Sequence, residues 1–390
     1  MARRRAIVAG GGTGGHLYPA INLAEALERG SGHEVEVLLV GAQRGIESRV
    51  LPQLEIAHVL LPLEPIYRSR PWRNWRTVYA ALRSSREIVN LFRSFEPGLV
   101  VGTGGYASGP VVAAALYGRT RSAIQEQNSY PGLTTRWLAP HVDQVHLGSA
   151  EALRYLEKLP RAHVRLHGNP IRTPNRRLDA GAARRALGLA EEGGGGGRVV
   201  LVTGGSQGAR AINEALLEAL AAVERNELPG LPSDVQLLWS TGPAHHEEVV
   251  RRLEGAGGGG GGGGGGIIAV PYIDDMEKAL AVATLAVSRA GALSLAELCA
   301  WGVPSILVPY PHGAADHQRM NAAALASAGA AVVLDEAELV RDASSIWRAL
   351  IEVLEDRPGL EAMSRAAEAR GAPDAADRIA ADLLKLMEGA

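Results

Sequence analysis

Short runs of β-branched and aliphatic residues alternate with alanine- and leucine-rich stretches of helical period along nearly the whole chain. An uninterrupted apolar run is the mark of a strand buried on both faces, and its regular succession by amphipathic stretches predicts parallel sheets covered by helices. In the first half the pattern predicts strands at Ala6–Ala9, Val35–Val40, Leu99–Val101, Ala123–Gln125 and Gln144–Leu147. In the second half it predicts Val199–Thr203, Gln236–Ser240, Ile267–Val270, Thr284–Ser288, Ser305–Pro309 and Ala331–Leu334. Each half reads as its own doubly wound α/β sheet. The polar, proline-rich "HGNPIRTPNRR" lies between the two sets and places a hinge near Pro170, dividing the chain into residues 1–170 and 171–370.

Size and composition agree with this division. A chain of 390 residues exceeds one ordinary core. A formal net charge of -2 excludes an overall basic nucleic-acid binder, so any basic surface is local. The single cysteine, Cys299, rules out an intrachain disulfide and sits in the apolar "LAELCAWGVP", which reads as a core thiol in a reducing compartment. The apolar run in "MARRRAIVAGGG" is too short for a signal peptide, and no stretch approaches a membrane span, so a cytoplasmic protein is expected. The glycine runs Gly193–Gly197 and Gly257–Gly266 lack flanking phosphate-loop patterns and read as surface loops.

Three glycine turns follow strands. "VAGGGTGGHLYPA" carries five glycines between Gly10 and His16 and predicts a helix starting near Pro19. Glycines let the backbone approach a ligand, and a helix N-terminus behind them offers amides to an anion or a polar sugar. Gly10, Gly12 and Gly15 also fit the dinucleotide fingerprint, but the second strand ends in Gly41, Ala42 and Gln43 instead of the acid that would hold a ribose, which opposes a nicotinamide or flavin enzyme. "LVVGTGGYASGP" repeats the pattern, with Ser108 as a cap before a helix near Pro110, and "VVLVTGGSQGAR" opens the second half with Ser206 in its turn. Turns beyond the carboxyl ends of two sheets imply a substrate held between them.

The substrate class comes from "AVSRAGALSLAELCAWGVP". Arg289 and the amides near Ala292 and Leu293 suit a diphosphate. Ser294 and Glu297, three apart on one helix face, place a carboxylate where it can accept hydrogen bonds from both hydroxyls of a ribose. The stretch reads as a nucleotide site.

Taken in order, "GGTGGH", "GTGGYASGP", "EQNSYPGLT", "GNPIR", "GGSQGAR", "YIDDM", "SRAGALSLAE" and "HGAADHQRMNA" make the chain resemble, over essentially its whole length, the MurG family. These bacterial enzymes transfer N-acetylglucosamine from UDP-N-acetylglucosamine (UDP-GlcNAc) to lipid I, giving lipid II for peptidoglycan. The resemblance implies two Rossmann-like domains facing a cleft, the glycosyltransferase B type. It further implies inverting chemistry without a cofactor or a metal-binding Asp-x-Asp, and a C-terminal helix near Pro373–Met387 that returns to the first domain, so that 371–390 joins 1–170. The first domain would take the acceptor and the membrane, the second UDP-GlcNAc. Carried over by motif, the donor residues are Thr13, Gly14, Gly15, Asn128, Arg172, Ser206, Ile273, Ala292, Leu293, Ser294, Leu295, Ala296, Glu297 and Gln318, with Ile273 meeting uracil through its backbone. Where the family commonly has a histidine before "EQN", this chain has Gln125. Partners among cell-wall synthesis and division proteins fit the same resemblance.

Inverting transfer needs a base for the acceptor hydroxyl and positive groups for the departing UDP. His16, at the end of the first glycine turn, is the first candidate for the base and Glu126 the second; Arg289 would stabilise the diphosphate. A lipid acceptor also requires a membrane face. Ile66–Phe95 carries seven arginines against one glutamate, and Trp72, Trp75, Val78, Tyr79 and Leu82 recur at helical spacing. With Arg73 and Arg76 between them, these residues suit an anionic membrane surface, here the cytoplasmic face of the cell membrane, met peripherally. The competing readings are a B-type glycosyltransferase with another acceptor and a non-catalytic UDP-sugar-binding protein.

Overall fold

The computed structural model describes residues 4–64, 72, 74–160, 163–190, 197–205, 208–255, 266–311 and 316–389. These form two compact units, one of Met1–Thr173 with Ala372–Ala390, the other of Pro174–Gly371.

The first unit runs β1 (Arg4–Ala9), α1 (Gly14–Gly30), β2 (Val35–Ala42), α2 (Glu47–Val50), β3 (His58–Leu61), α3 (Asn74–Phe95), β4 (Leu99–Gly102), α4 (Gly105–Tyr117), β5 (Arg121–Glu126), α5 (Leu133–Leu138), β6 (Gln144–Leu147) and β7 (Val164–Leu166). The second holds α6 (Ala180–Ala186), β8 (Arg198–Thr203), α7 (Arg210–Glu224), β9 (Val235–Ser240), α8 (His246–Gly255), β10 (Ile267–Val270), α9 (Met276–Val282), β11 (Leu285–Ser288), α10 (Ala292–Trp301), β12 (Ser305–Leu307), α11 (His317–Ser327), β13 (Ala331–Val333), α12 (Glu336–Arg341), α13 (Ser344–Glu355) and α14 (Arg357–Arg370). The chain then returns to the first unit as α15 (Ala375–Glu388).

Both sheets are parallel throughout, in the orders β3-β2-β1-β4-β5-β6-β7 and β10-β9-β8-β11-β12-β13. In each, the strand order reverses beside the first strand, between β1 and β4 and between β8 and β11. That reversal opens a crevice beyond the strand ends, which is where ligands bind in such folds. The glycine turns stand there.

Helices cover both faces of each sheet. In the first unit α1 and α15 bury Leu17, Leu23, Ile379 and Leu383 against one face of the sheet. On the other face α3 and α4 bury Ile88, Val111 and Val112. In the second unit Trp239 and Trp347 are fully buried, and each indole N–H finds a partner, Asn213 Oδ1 at 3.0 Å and the Pro229 carbonyl at 2.8 Å. Cys299 is likewise buried, and burial pushes its thiol up to about 11, as for an unreactive core residue.

Three details differ from the sequence reading. Edge strands β3 and β7 are present where none is expected: β7 is broken by Arg165, and in β3 the short apolar run Val59–Leu61 stands between His58 and Pro62 with most of its residues only half-buried. The helices expected near Pro19 and Pro110 begin earlier, at Gly14 and Gly105, each with its proline as sixth residue. Ser108 is therefore no cap: it is buried inside α4, its hydroxyl donating to the Gly105 carbonyl at 3.3 Å. A proline so near the start removes only one early intrahelical bond, which the glycine-initiated turn tolerates.

Candidate active site

In the first unit the two glycine turns pack against each other. Gly104 and Gly105 have φ of 99° and 75°, conformations that glycine adopts without strain. A Cβ on Gly104 would lie 2.6 Å from the His16 ring, and one on Gly105 would lie 1.9 Å from the Gly11 carbonyl. The second turn is thus glycine because the first turn and the His16 imidazole occupy that space. Thr103 Oγ1 donates to the His16 carbonyl at 2.8 Å, and His16 Nδ1 lies 3.1 Å from Thr13 Oγ1. Half-buried at the switch point, the imidazole is held by both turns. Thr13 caps α1 with its backbone while its side chain is exposed, and Gly14 and Gly15 form the first turn of that helix.

Beneath the first turn lies a residue the sequence reading missed. Glu47 is fully buried, and its carboxylate accepts the Gly12 amide at 2.9 and 3.0 Å and the Ala42 amide at 3.1 Å. Gly11, Gly41 and Gly45 all lack the Cβ that would strike it. A buried carboxylate behind this turn repels an anion, so the first turn suits a neutral sugar better than a phosphate. The available signal was a lone acid two residues after Gly45 and followed by Ser48 and Arg49, which reads locally as surface.

Glu126, the second candidate for the base, is spoken for. Its Oε1 accepts from the Asn128 backbone and side chain, both at 3.1 Å, and its Oε2 from Gly132 at 2.9 Å and Thr135 Oγ1 at 2.5 Å. Both oxygens shape the loop that carries Asn128, and the group is 4% exposed. Gln125 fills a buried amide network instead: it donates to Asn169 Oδ1 at 3.1 Å, accepts from Gln127, and Gln127 donates to the Thr103 carbonyl at 2.6 Å. Amide-to-amide bonds thus brace the second glycine turn from below. Arg172 is exposed in the segment before Thr173.

In the second unit, α10 starts at the switch point directly after β11, with Gly291 as N-cap and Glu297 half-buried on its second turn. Ala292, Leu293 and Ser294 supply the first-turn amides, while Leu295 is core and Ala296 half-buried beside it. Gln318 buttresses the turn, its Oε1 accepting from the Ala290 amide at 3.2 Å and the Tyr310 amide at 2.9 Å. Arg289 does not project freely. Its guanidinium pairs with Glu336, donates to the Val308 carbonyl at 3.1 Å and lies 5.4 Å from the Tyr310 ring centre. Ile273 is buried in the core of the second unit. Ser206 lies outside the described residues.

Of the expected membrane residues, Trp72 and Trp75 are 72% and 67% exposed, whereas the second half of α3 packs Ile88 on the sheet. Arg73 lies outside the described residues, as do the side chains of Arg76, Tyr79 and Leu82. No helix among the described residues is long and apolar enough to cross a membrane.

Two family models match, the glycosyltransferase family 28 N-terminal domain over residues 6–147 and its C-terminal domain over 199–379. The chain is 39% identical to the UDP-N-acetylglucosamine–N-acetylmuramyl-(pentapeptide) pyrophosphoryl-undecaprenol N-acetylglucosamine transferase of Moorella thermoacetica, over 98% of this chain and 99% of the relative. It is 35% identical to the enzyme of that name from Desulforamulus reducens, over 98% of both chains. The chain belongs to the MurG family. Among solved structures it resembles Acinetobacter baumannii MurG with a TM-score of 0.73 at 23% identity, covering 98% and 99% of the two chains. A second likeness is to Neisseria meningitidis UDP-GlcNAc 2-epimerase bound to UDP-GlcNAc, with a TM-score of 0.64 at 13% identity, covering 98% and 100%. The MurG family shares with such proteins the two Rossmann-like domains of the glycosyltransferase B fold.

Proposed function

We propose that this protein transfers N-acetylglucosamine from UDP-GlcNAc to the 4-hydroxyl of the muramyl sugar of lipid I, with inversion, giving lipid II. The observation that carries the donor half is the start of α10 at the switch point of its sheet, with Glu297 on the same helix. Its first-turn amides and positive end suit a diphosphate, and Glu297 suits the ribose diol. With Arg289 held by Glu336, Val308 and Tyr310, the helix amides carry the leaving diphosphate and Arg289 sets the wall behind them. Gln318 fixes the turn, and by motif Ile273 meets the uracil ring through its backbone. Asn128, Arg172 and Ser206 complete the donor set by motif.

The acceptor half belongs to the first unit. His16 is the base: an imidazole oriented through Nδ1 by Thr13 suits proton removal near neutral pH. The carboxylate of Glu47 behind the turn favours an uncharged sugar there. Trp72 and Trp75 would rest on the cytoplasmic membrane surface, where the lipid-linked acceptor is presented.

The test is transfer of labelled N-acetylglucosamine to a short-chain lipid I analogue. Glu297→Ala is expected to raise the donor KM about tenfold or more, and His16→Ala to lower kcat by about 100-fold with little change in KM. Binding of UDP-GlcNAc by the folded protein without transfer to this acceptor would overturn the acceptor assignment. An unchanged kcat in His16→Ala would remove His16 as the base.

A further inference from the structure

Away from both glycine sites, three chain segments of the first unit converge on a cluster of ligating side chains. His146 is on β6, His167 directly follows β7, and Asp382 is on α15. One ring nitrogen from each histidine and one carboxylate oxygen lie within 4.8 Å of one another. His146 is fully buried; its Nε2 lies 3.1 Å from Gln144 Oε1, while its Nδ1 meets no hydrogen-bond partner among the described residues. An imidazole whose far N–H is fixed by a side-chain oxygen is how a metal-bound histidine is oriented. An unsatisfied buried nitrogen otherwise costs stability with no return. His167 Nε2 and Asp382 Oδ2 stand 2.9 Å apart, close to the spacing of two ligands on one ion.

We infer that His146, His167 and Asp382 form a binding site for a divalent transition-metal ion of the zinc class, which fastens α15 to the edge of the first sheet. Two imidazoles and a carboxylate are borderline ligands that select such ions over magnesium or calcium. The ring centroids of His146 and His167 are 5.6 Å apart. A ring centre sits roughly 3.2 Å from a metal bound at about 2.0–2.1 Å, so this separation corresponds to an angle of about 120° at the ion, compatible with a tetrahedral site completed by water. Arg165 Nε at 3.5 Å and Lys385 Nζ at 4.0 Å from Asp382 belong to half-exposed and exposed side chains, whose charges water screens. The site is structural and takes no part in sugar transfer.

The full-length protein, stripped with chelator, is titrated with Co²⁺ and Zn²⁺ while visible absorption, calorimetry and the thermal unfolding midpoint are followed. One equivalent of cobalt is expected to give tetrahedral d–d bands, zinc to raise the midpoint, and Asp382→Asn and His167→Ala each to weaken binding at least about tenfold. Asp382→Asn keeps the shape of the side chain and so its fold, which circular dichroism verifies. A double His245→Ala/His246→Ala variant should bind as the parent does. Absence of d–d bands and of a zinc-dependent midpoint in the parent, or equal binding in Asp382→Asn and His167→Ala, overturns the assignment.

Discussion

At Glu47 a single carboxylate decides the shape of a turn that the sequence pattern gives to glycines alone: it accepts the Gly12 and Ala42 amides, and three glycines make room for it. Glu47→Gln replaces an acceptor oxygen by an N–H₂ that faces a backbone donor. The variant is expected to lose ~1–3 kcal/mol of stability, measured by urea unfolding, and to lower kcat through a displaced His16. An equally stable, equally active variant would show that the turn holds itself. The same scale explains why Glu126 misleads in the sequence: its place beside Asn128 is visible, but the Gly132 and Thr135 donors that saturate it depend on a loop turning back six and nine residues later. Ser294 and Glu297 were easier, because their shared face follows from helical spacing alone.

Among the elements, strands buried on both faces were legible as apolar runs, while β3 and β7 at the sheet edge were not. Helix starts were displaced because proline and serine are strong local signals, yet the first turns form on glycines whose place is set by packing between two loops. The last helix shows the energetics most directly. Ile379, Ala380, Leu383 and Met387 recur at helical period, and all are buried beside α1 and the first sheet. Leu383→Ala, at a site with no exposure, is expected to cost ~2–5 kcal/mol. Because α15 belongs to the first unit, donor binding by the second is expected to persist, as UDP calorimetry would show. Loss of both stability and UDP binding would mean that α15 supports the second unit as well.

For the whole molecule, concentrated charge in a nearly neutral chain is the informative feature. The segment around α3 combines arginines with Trp72 and Trp75, both largely exposed. Replacing the two tryptophans by alanine is expected to weaken binding to anionic phospholipid vesicles about tenfold, and added salt to weaken the parent further. Unchanged sedimentation with vesicles would assign these aromatics to another contact. The sequence by itself determined the two parallel sheets, the order of the glycine turns and the family, because burial on both faces and turn chemistry are written in residue type and spacing over short distances. Only the tertiary structure decided that His16 rests on Gly104, that Glu47 lies beneath the first turn, that Arg289 is held by Glu336, and that His146, His167 and Asp382 meet. Each of these joins residues far apart in the chain, and which of them touch is fixed by strand order and helix packing, quantities that no local pattern carries.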